Sequence, residues 1–193
     1  MADLKPQDVI EVLTQDHREV EEMFVKLEAM QPATTPTQRK RRKDLVDQVT
    51  IELIRHAVAE EAEVYPAVQD KLTKKEAERA RKEHAEAEET MKRLEKMDAG
   101  DPGFDDAVAE LIREIRHHAA EEESRMFTEL RANFSREELV DMAEQVEAIK
   151  KIAPTRAHPM TPNDAGVRLA VGPVASLLDH LRDAVSGRGK TTD

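Results

Sequence analysis

Cysteine is absent from the 193 residues of the chain, which excludes disulfides, thiol catalysis and zinc or iron–sulfur sites built on thiolates. Aromatic residues are scarce: there is no Trp, one Tyr and four Phe. Sandwiches and barrels draw on more aromatic surface than that, and six Gly leave few tight hairpin turns. No apolar run approaches the roughly 20 residues of a membrane span, and the opening residues from Met1 to Asp8 lack the apolar stretch of a secretory signal. The expectation is a cytoplasmic chain without a membrane span. Its length suits one ordinary domain with an appendage. Charged residues make up 37% of it, which suits solvated helices.

The net charge of −11 argues against nucleic acid as a partner, because that binding rests on neutralising phosphates. The one basic run, Arg39 to Lys43, reads as a solvated helix face in acidic surroundings.

Helical punctuation divides the chain. Pro6 suits a first helical position, and apolar residues follow at Ile10, Leu13, Val20, Phe24 and Leu27. The stretch from Gln31 to Thr37, with Pro32 and Pro36, interrupts the pattern. A second series runs from Val46 to Val64. Thr73 and Glu76 have capping-box spacing ahead of a third helix that stops near Gly100. Asp101-Pro102 has the form of a cap followed by Pro at the first position of a fourth helix. Ser135 and Glu138 open a shorter fifth helix, which ends before Pro154.

The fold class expected is therefore all-α: an up-down-up-down four-helix bundle with a short fifth helix and an irregular C-terminal extension. The bundle unit spans 1–152 and the extension 153–193. In the extension, Pro and Gly give way to a short amphipathic helix at Val174, Leu177, Leu178, Leu181 and Val185, followed by a disordered end. That helix offers a face for packing on the bundle or for pairing two copies as a homodimer.

Seven histidines are present, and four fall on the apolar seams of the long helices. His17 continues the series 10, 13, 20, 24. His56 and Glu60 continue 46, 49, 53, 64. His84 continues 80, 87, 91, and His118 and Glu122 continue 108, 111, 115. The blocks also repeat. Asp16-His17 and its acidic followers parallel Glu83-His84. His56, Glu60 and Glu61 parallel His118, Glu122 and Glu123, with Tyr65 and Phe127 at the same later offset. Two hairpins related by a pseudo-twofold axis would bring all four imidazoles to one level.

A single histidine on a core seam commonly pairs with a neighbour and binds nothing. Two buried carboxylates beside four imidazoles are a different matter, since an unpaired buried carboxylate costs several kcal/mol. A cation resolves that cost. Imidazole and carboxylate without thiolate suit iron or manganese better than structural zinc. Each of two metals would take two His and a share of both Glu.

The set His17, His56-x-x-x-Glu60, His84 and His118-x-x-x-Glu122, over residues ~8–131, resembles the hemerythrin-like or HHE cation-binding family. It is most similar to actinobacterial members with a C-terminal extension. The resemblance implies two iron ions in a non-haem di-iron centre, bridged by Glu60, Glu122 and an oxo or hydroxo group, with the four histidines as terminal ligands. It implies small ligands as partners: peroxide, O2 and nitric oxide.

The chain departs from the family's oxygen carriers at Ala80, where those have a further His one turn before the residue matching His84. Glu21 and Glu88, each one turn after a seam histidine, are candidates to replace it as ligands or to orient ligands. His117, about 100° round the helix from His118, reads as a surface residue or a partner to a ligand. Tyr65 reads as packing at a helix end or as a phenol near the site. With one imidazole fewer and more carboxylate, the expected chemistry is catalase-like peroxide decomposition with an oxidative-stress role. The alternative is O2, NO or iron binding or sensing without turnover.

Overall fold

The computed structural model describes residues 6–71 and 74–155. Among these residues there are five helical rods and no strand. Helix α1 is Val9–Ala29. Helix α2 runs through Pro36–Ala59, a wide π turn at Glu60–Val64, and Tyr65–Lys71. Helix α3 is Lys74–Glu95. Helix α4 repeats the form of α2, with Phe104–Glu121, a π turn at Glu122–Met126, and Phe127–Asn133. Helix α5 is Arg136–Ile152 and packs across α1 and α2.

The caps explain where the rods begin. Asp8 caps α1 and exchanges bonds with Glu11. This starts the helix at Val9, three residues after the Pro6 suggested by sequence, because a carboxylate can bind the free N–H groups and a proline ring cannot. Thr35 caps α2 with Gln38, so Pro36 lies at the first helical position and the interruption is shorter than expected. Contrary to expectation, Asp101-Pro102 does not cap α4. The cap is Gly103, with φ 82°, a left-handed conformation that glycine adopts without the Cβ penalty. Ser135 and Glu138 do form a capping box, and α5, with 17 residues, is shorter than each of the four rods before it. The Thr73 capping box, the amphipathic stretch at 174–185 and the end of the chain lie outside the described residues. Ala153 and Thr155, at the start of the extension, are buried.

Arg39, Lys40 and Arg41 of the basic run are exposed, as expected of a solvated face, but Arg42 is not. Arg42 is 1% exposed, pairs with Asp105 and lies over the Phe104 ring. Lys40 pairs with Asp44, and Lys43 with Asp47 and the Leu94 carbonyl. No described helix is long and apolar enough to cross a membrane.

The apolar interior falls into two clusters. One contains Val20, Phe24, Leu53, Met91 and Leu111. The other contains Leu13, Val68, Ala80, Leu130 and Val146. On α1, α3 and α4 the break between clusters spans the histidine, and on α2 it falls between Val58 and Ala59, just before Glu60. An antiparallel bundle puts those breaks at one level, so the core is two apolar halves separated by a polar layer.

Candidate metal centre

The layer holds six buried or nearly buried groups. Glu60 is 0% exposed and Glu122 2%; His56, His84 and His118 are buried, and the His17 side chain is 9% exposed. Every histidine turns Nε2 inward. Glu60 Oε2 lies 3.2 Å from His56 Nε2 and 3.4 Å from His84 Nε2. Glu122 Oε2 lies 3.5 Å from His17 Nε2 and 3.3 Å from His118 Nε2. Each carboxylate thus touches one histidine from each hairpin. Two sets of potential ligand atoms result, His17, His56, Glu60 and Glu122 in one and Glu60, His84 and His118 in the other, each within 4.8 Å.

His84 Nε2 and His118 Nε2 lie 3.0 Å apart, but close approach leaves four atoms of the layer without a hydrogen bond. His17 Nε2, His56 Nε2, Glu60 Oε1 and Glu122 Oε2 are buried with no hydrogen-bond partner. Buried polar atoms are normally satisfied. Unsatisfied imidazole nitrogens and carboxylate oxygens converging on one layer fit cations, which would accept all of their lone pairs.

The outer nitrogens are satisfied in a pattern that obeys the sequence repeat. His56 Nδ1 lies 3.0 Å from Asp16, and His118 Nδ1 2.9 Å from Glu83. His84 Nδ1 lies 3.1 Å from Glu61, and His17 Nδ1 2.9 Å from Glu123. The carboxylate just before one hairpin's first histidine holds the second histidine. The carboxylate just after the buried glutamate of one hairpin holds the first histidine of the other. Such partners fix the ring and leave Nε2 free as a ligand. Spacing alone gave none of these four acids a role, although all stand in the repeated blocks.

Charge in the layer is balanced internally. Burial would lower the His56 pKa, yet Glu60 and Asp16 raise it to about 10. Burial likewise opposes the charge on His118, and Glu122 and Glu83 carry its pKa well above the usual value. Burial would raise Glu122, and the His118 and His17 imidazoles hold it well below the carboxylate range.

The two π turns redirect the aromatic rings that come after them. Five residues along an α-helix turn the chain about 500°, leaving a side chain roughly 140° from the starting direction. Here the Tyr65 N–H bonds to the Glu60 carbonyl, and the Phe127 N–H to that of Glu122, so both rings return to the face of the glutamate. The Tyr65 hydroxyl donates to Glu122 Oε1 at 2.9 Å and lies 3.3 Å from Glu60 and 3.2 Å from His84 Nε2. The phenol is therefore inside the site as well as packed at its helix end. Phe127, its counterpart, stacks on His17 with centroids 5.9 Å apart. Pro66 does not cause the turn, because Thr128 follows the second one equally well.

The remaining candidates lie elsewhere. Glu21 is drawn outward by Arg116, which donates to it at 2.7 and 2.9 Å. Glu88 pairs with Lys92 at 3.2 Å. Neither is in the ligand sets. His117 is 67% exposed, 3.9 Å from Glu83. One link was not anticipated: Lys150 of α5 donates to Asp16 at 2.7 Å, tying the fifth helix to His56.

The hemerythrin HHE cation-binding domain model matches residues 8–130 of this chain. The chain is 31% identical to an uncharacterized hemerythrin-like protein of Schizosaccharomyces pombe over 178 residues, 91% of this chain and 85% of that one. It is 26% identical to a DNA nickase of Nostoc sp. over 149 residues, 77% of this chain but 41% of that protein. No solved structure matches the chain significantly.

Proposed function

The chain belongs to the hemerythrin HHE cation-binding family, and we propose that its polar layer holds two iron ions which decompose hydrogen peroxide. His17 and His56 would hold one ion and His84 and His118 the other, with Glu60 and Glu122 shared. The observation that carries this assignment is that each glutamate touches one histidine of each pair. A single-ion site has no use for two carboxylates so placed. When bound, such a pair supplies two-electron exchange with an oxygen ligand.

The chain's own groups favour peroxide over reversible oxygen binding. Ala80 is buried one turn before His84, where an added imidazole would give a carrier-like ligand set. In this protein the nearest further donor on that side is the Tyr65 oxygen. An oxygen donor in place of nitrogen favours the ferric state. Tyr65 also holds a proton at its hydroxyl, between Glu122 and His84, where it can be passed to and recovered from a reacting oxygen. Glu21 and Glu88 are not in a position to do so. Two peroxide molecules give two waters and one O2, so no outside reductant is needed.

The test is oxygen release from hydrogen peroxide by the iron-loaded protein, followed with an oxygen electrode. Turnover is expected in the unmodified chain, together with rapid oxidation in air. Ala80→His is expected to slow both. A stable, reversible O2 adduct without oxygen release from peroxide would assign the site to binding or sensing instead.

The orienting acids give a second expectation. Asp16→Asn removes the carboxylate from His56 Nδ1 and from Lys150, and should weaken metal binding about 10–100-fold in competition with a chelator. Unchanged affinity would show that Asp16 serves only to dock α5.

A further inference from the structure

A cavity of about 300 Å3 opens directly beneath the polar layer. Its roof is the four histidines, and its walls are Val20, Phe24, Leu53, Ala87, Met91 and Ile115, all buried. Arg116 lies at its rim and bridges α4 to α1 through Glu21 and Glu28. The chamber therefore has two chemically different ends, the histidine rings with Asp16, Arg18, Glu21 and Glu123 at the polar end and aliphatic and aromatic carbon at the other.

Its size and lining do not match hydrogen peroxide or a diatomic gas. A molecule of water takes about 30 Å3, so the space would hold about ten such groups. Peroxide in the lower part would leave its hydroxyls unpaired against carbon, which is unfavourable. The two-ended lining matches a molecule with one small oxygen-bearing head and an unbranched apolar tail.

Resting on the peroxide reading of the metal layer, we propose that the chamber binds the alkyl chain of an aliphatic hydroperoxide. The oxygen head lies at the histidines and the tail between Phe24, Met91 and Ile115. Chain length then sets affinity, because each buried methylene contributes through its area alone.

Redox-inert 1-alkanols probe this binding without any turnover. Calorimetry on the metal-loaded full chain should show affinity rising about fourfold per methylene from 1-butanol upward and levelling off at about eight to ten carbons, when the space is full. Octyl hydroperoxide should displace 1-octanol. Ala87→Phe, which fills the chamber one turn after His84, should weaken 1-octanol at least tenfold. Ile115→Phe, reaching in from α4, serves as the second variant, and metal content on the same samples separates a filled chamber from a lost fold.

Equal affinity for butanol and octanol would overturn the proposal. So would octanol binding unchanged in both variants, or failure of octyl hydroperoxide to displace it. These failures leave oxygen release from hydrogen peroxide untouched. Loss of that release with the chain-length series intact would instead remove the peroxide reading and leave an aliphatic binding chamber.

Discussion

Glu122→Ala is expected to yield protein with at least one of its two metal ions missing, and Glu60→Ala the same. Each carboxylate touches a histidine from both pairs, at 3.3 and 3.5 Å for Glu122 and 3.2 and 3.4 Å for Glu60. Removing one therefore takes an oxygen from both positions at once. The metal-free variants should also lose stability, because the imidazole held charged by that carboxylate, His118 for Glu122 and His56 for Glu60, stays buried without it. Loss of one partner from a buried pair costs about 3–5 kcal/mol. Metal analysis and thermal melting on the same sample check both effects. Glu123→Ala is the control: its carboxylate is 43% exposed and reaches only the outer nitrogen of His17, so a loss of about tenfold in affinity is expected. Two metals per chain in both glutamate variants would overturn the shared-ligand arrangement.

Removing the metal should lower the melting temperature, by an amount that grows with pH. At free metal about 100-fold above Kd the bound form gains about 2.7 kcal/mol, roughly 5–10 °C for a chain of this size. The pH dependence comes from the imidazoles. In the folded, metal-free layer His56 keeps its proton up to about 10 through Glu60 and Asp16, despite burial, and His118 is shifted the same way. An unfolded histidine releases its proton near 6.5. The stabilisation from these pairs is complete below pH 6.5 and is lost as pH rises toward 10. Glu122 runs the other way: its pKa is depressed by the facing imidazoles against burial, so its contribution is present above the ordinary carboxylate range and lost below it. The stripped protein should be most stable between about pH 4.5 and 6.5. The loaded protein, whose ligand imidazoles must be neutral, should hold its stability to higher pH. A constant gap between the two melting curves from pH 6.5 to 10 would mean that the histidines are not the groups metal replaces.

The order of the helices and the six central residues were legible because both depend on helical periodicity. A seam that repeats every three or four residues specifies the face a side chain occupies, whatever the neighbouring helix does. His17, His56, Glu60, His84, His118 and Glu122 all lie on such seams, and the structure brings them to one layer. The Ser135 cap was readable for a similar reason, since a capping box is satisfied within four residues. The start of α4 was not, because Asp101, Pro102 and Gly103 all suit a helix start and only the course of the chain after α3 selects the glycine.

What the periodicity could not settle was decided by packing between helices. Glu21 and Glu88 lie one turn from a seam histidine, as Glu60 lies from His56, yet Arg116 on α4 and Lys92 on α3 hold them away from the layer. The acids that do orient the histidines, Asp16, Glu61, Glu83 and Glu123, sit among many other acids, and each reaches its histidine only across a helix pair brought together by the bundle. Tyr65 was hardest to read, because its sequence offset from Glu60 points it about 140° away on an α-helix. The π turn closes that gap. The physical reason is the same throughout: sequence spacing determines direction along one helix axis, while the partner a charged or phenolic side chain finds depends on which other helix lies within hydrogen-bond reach.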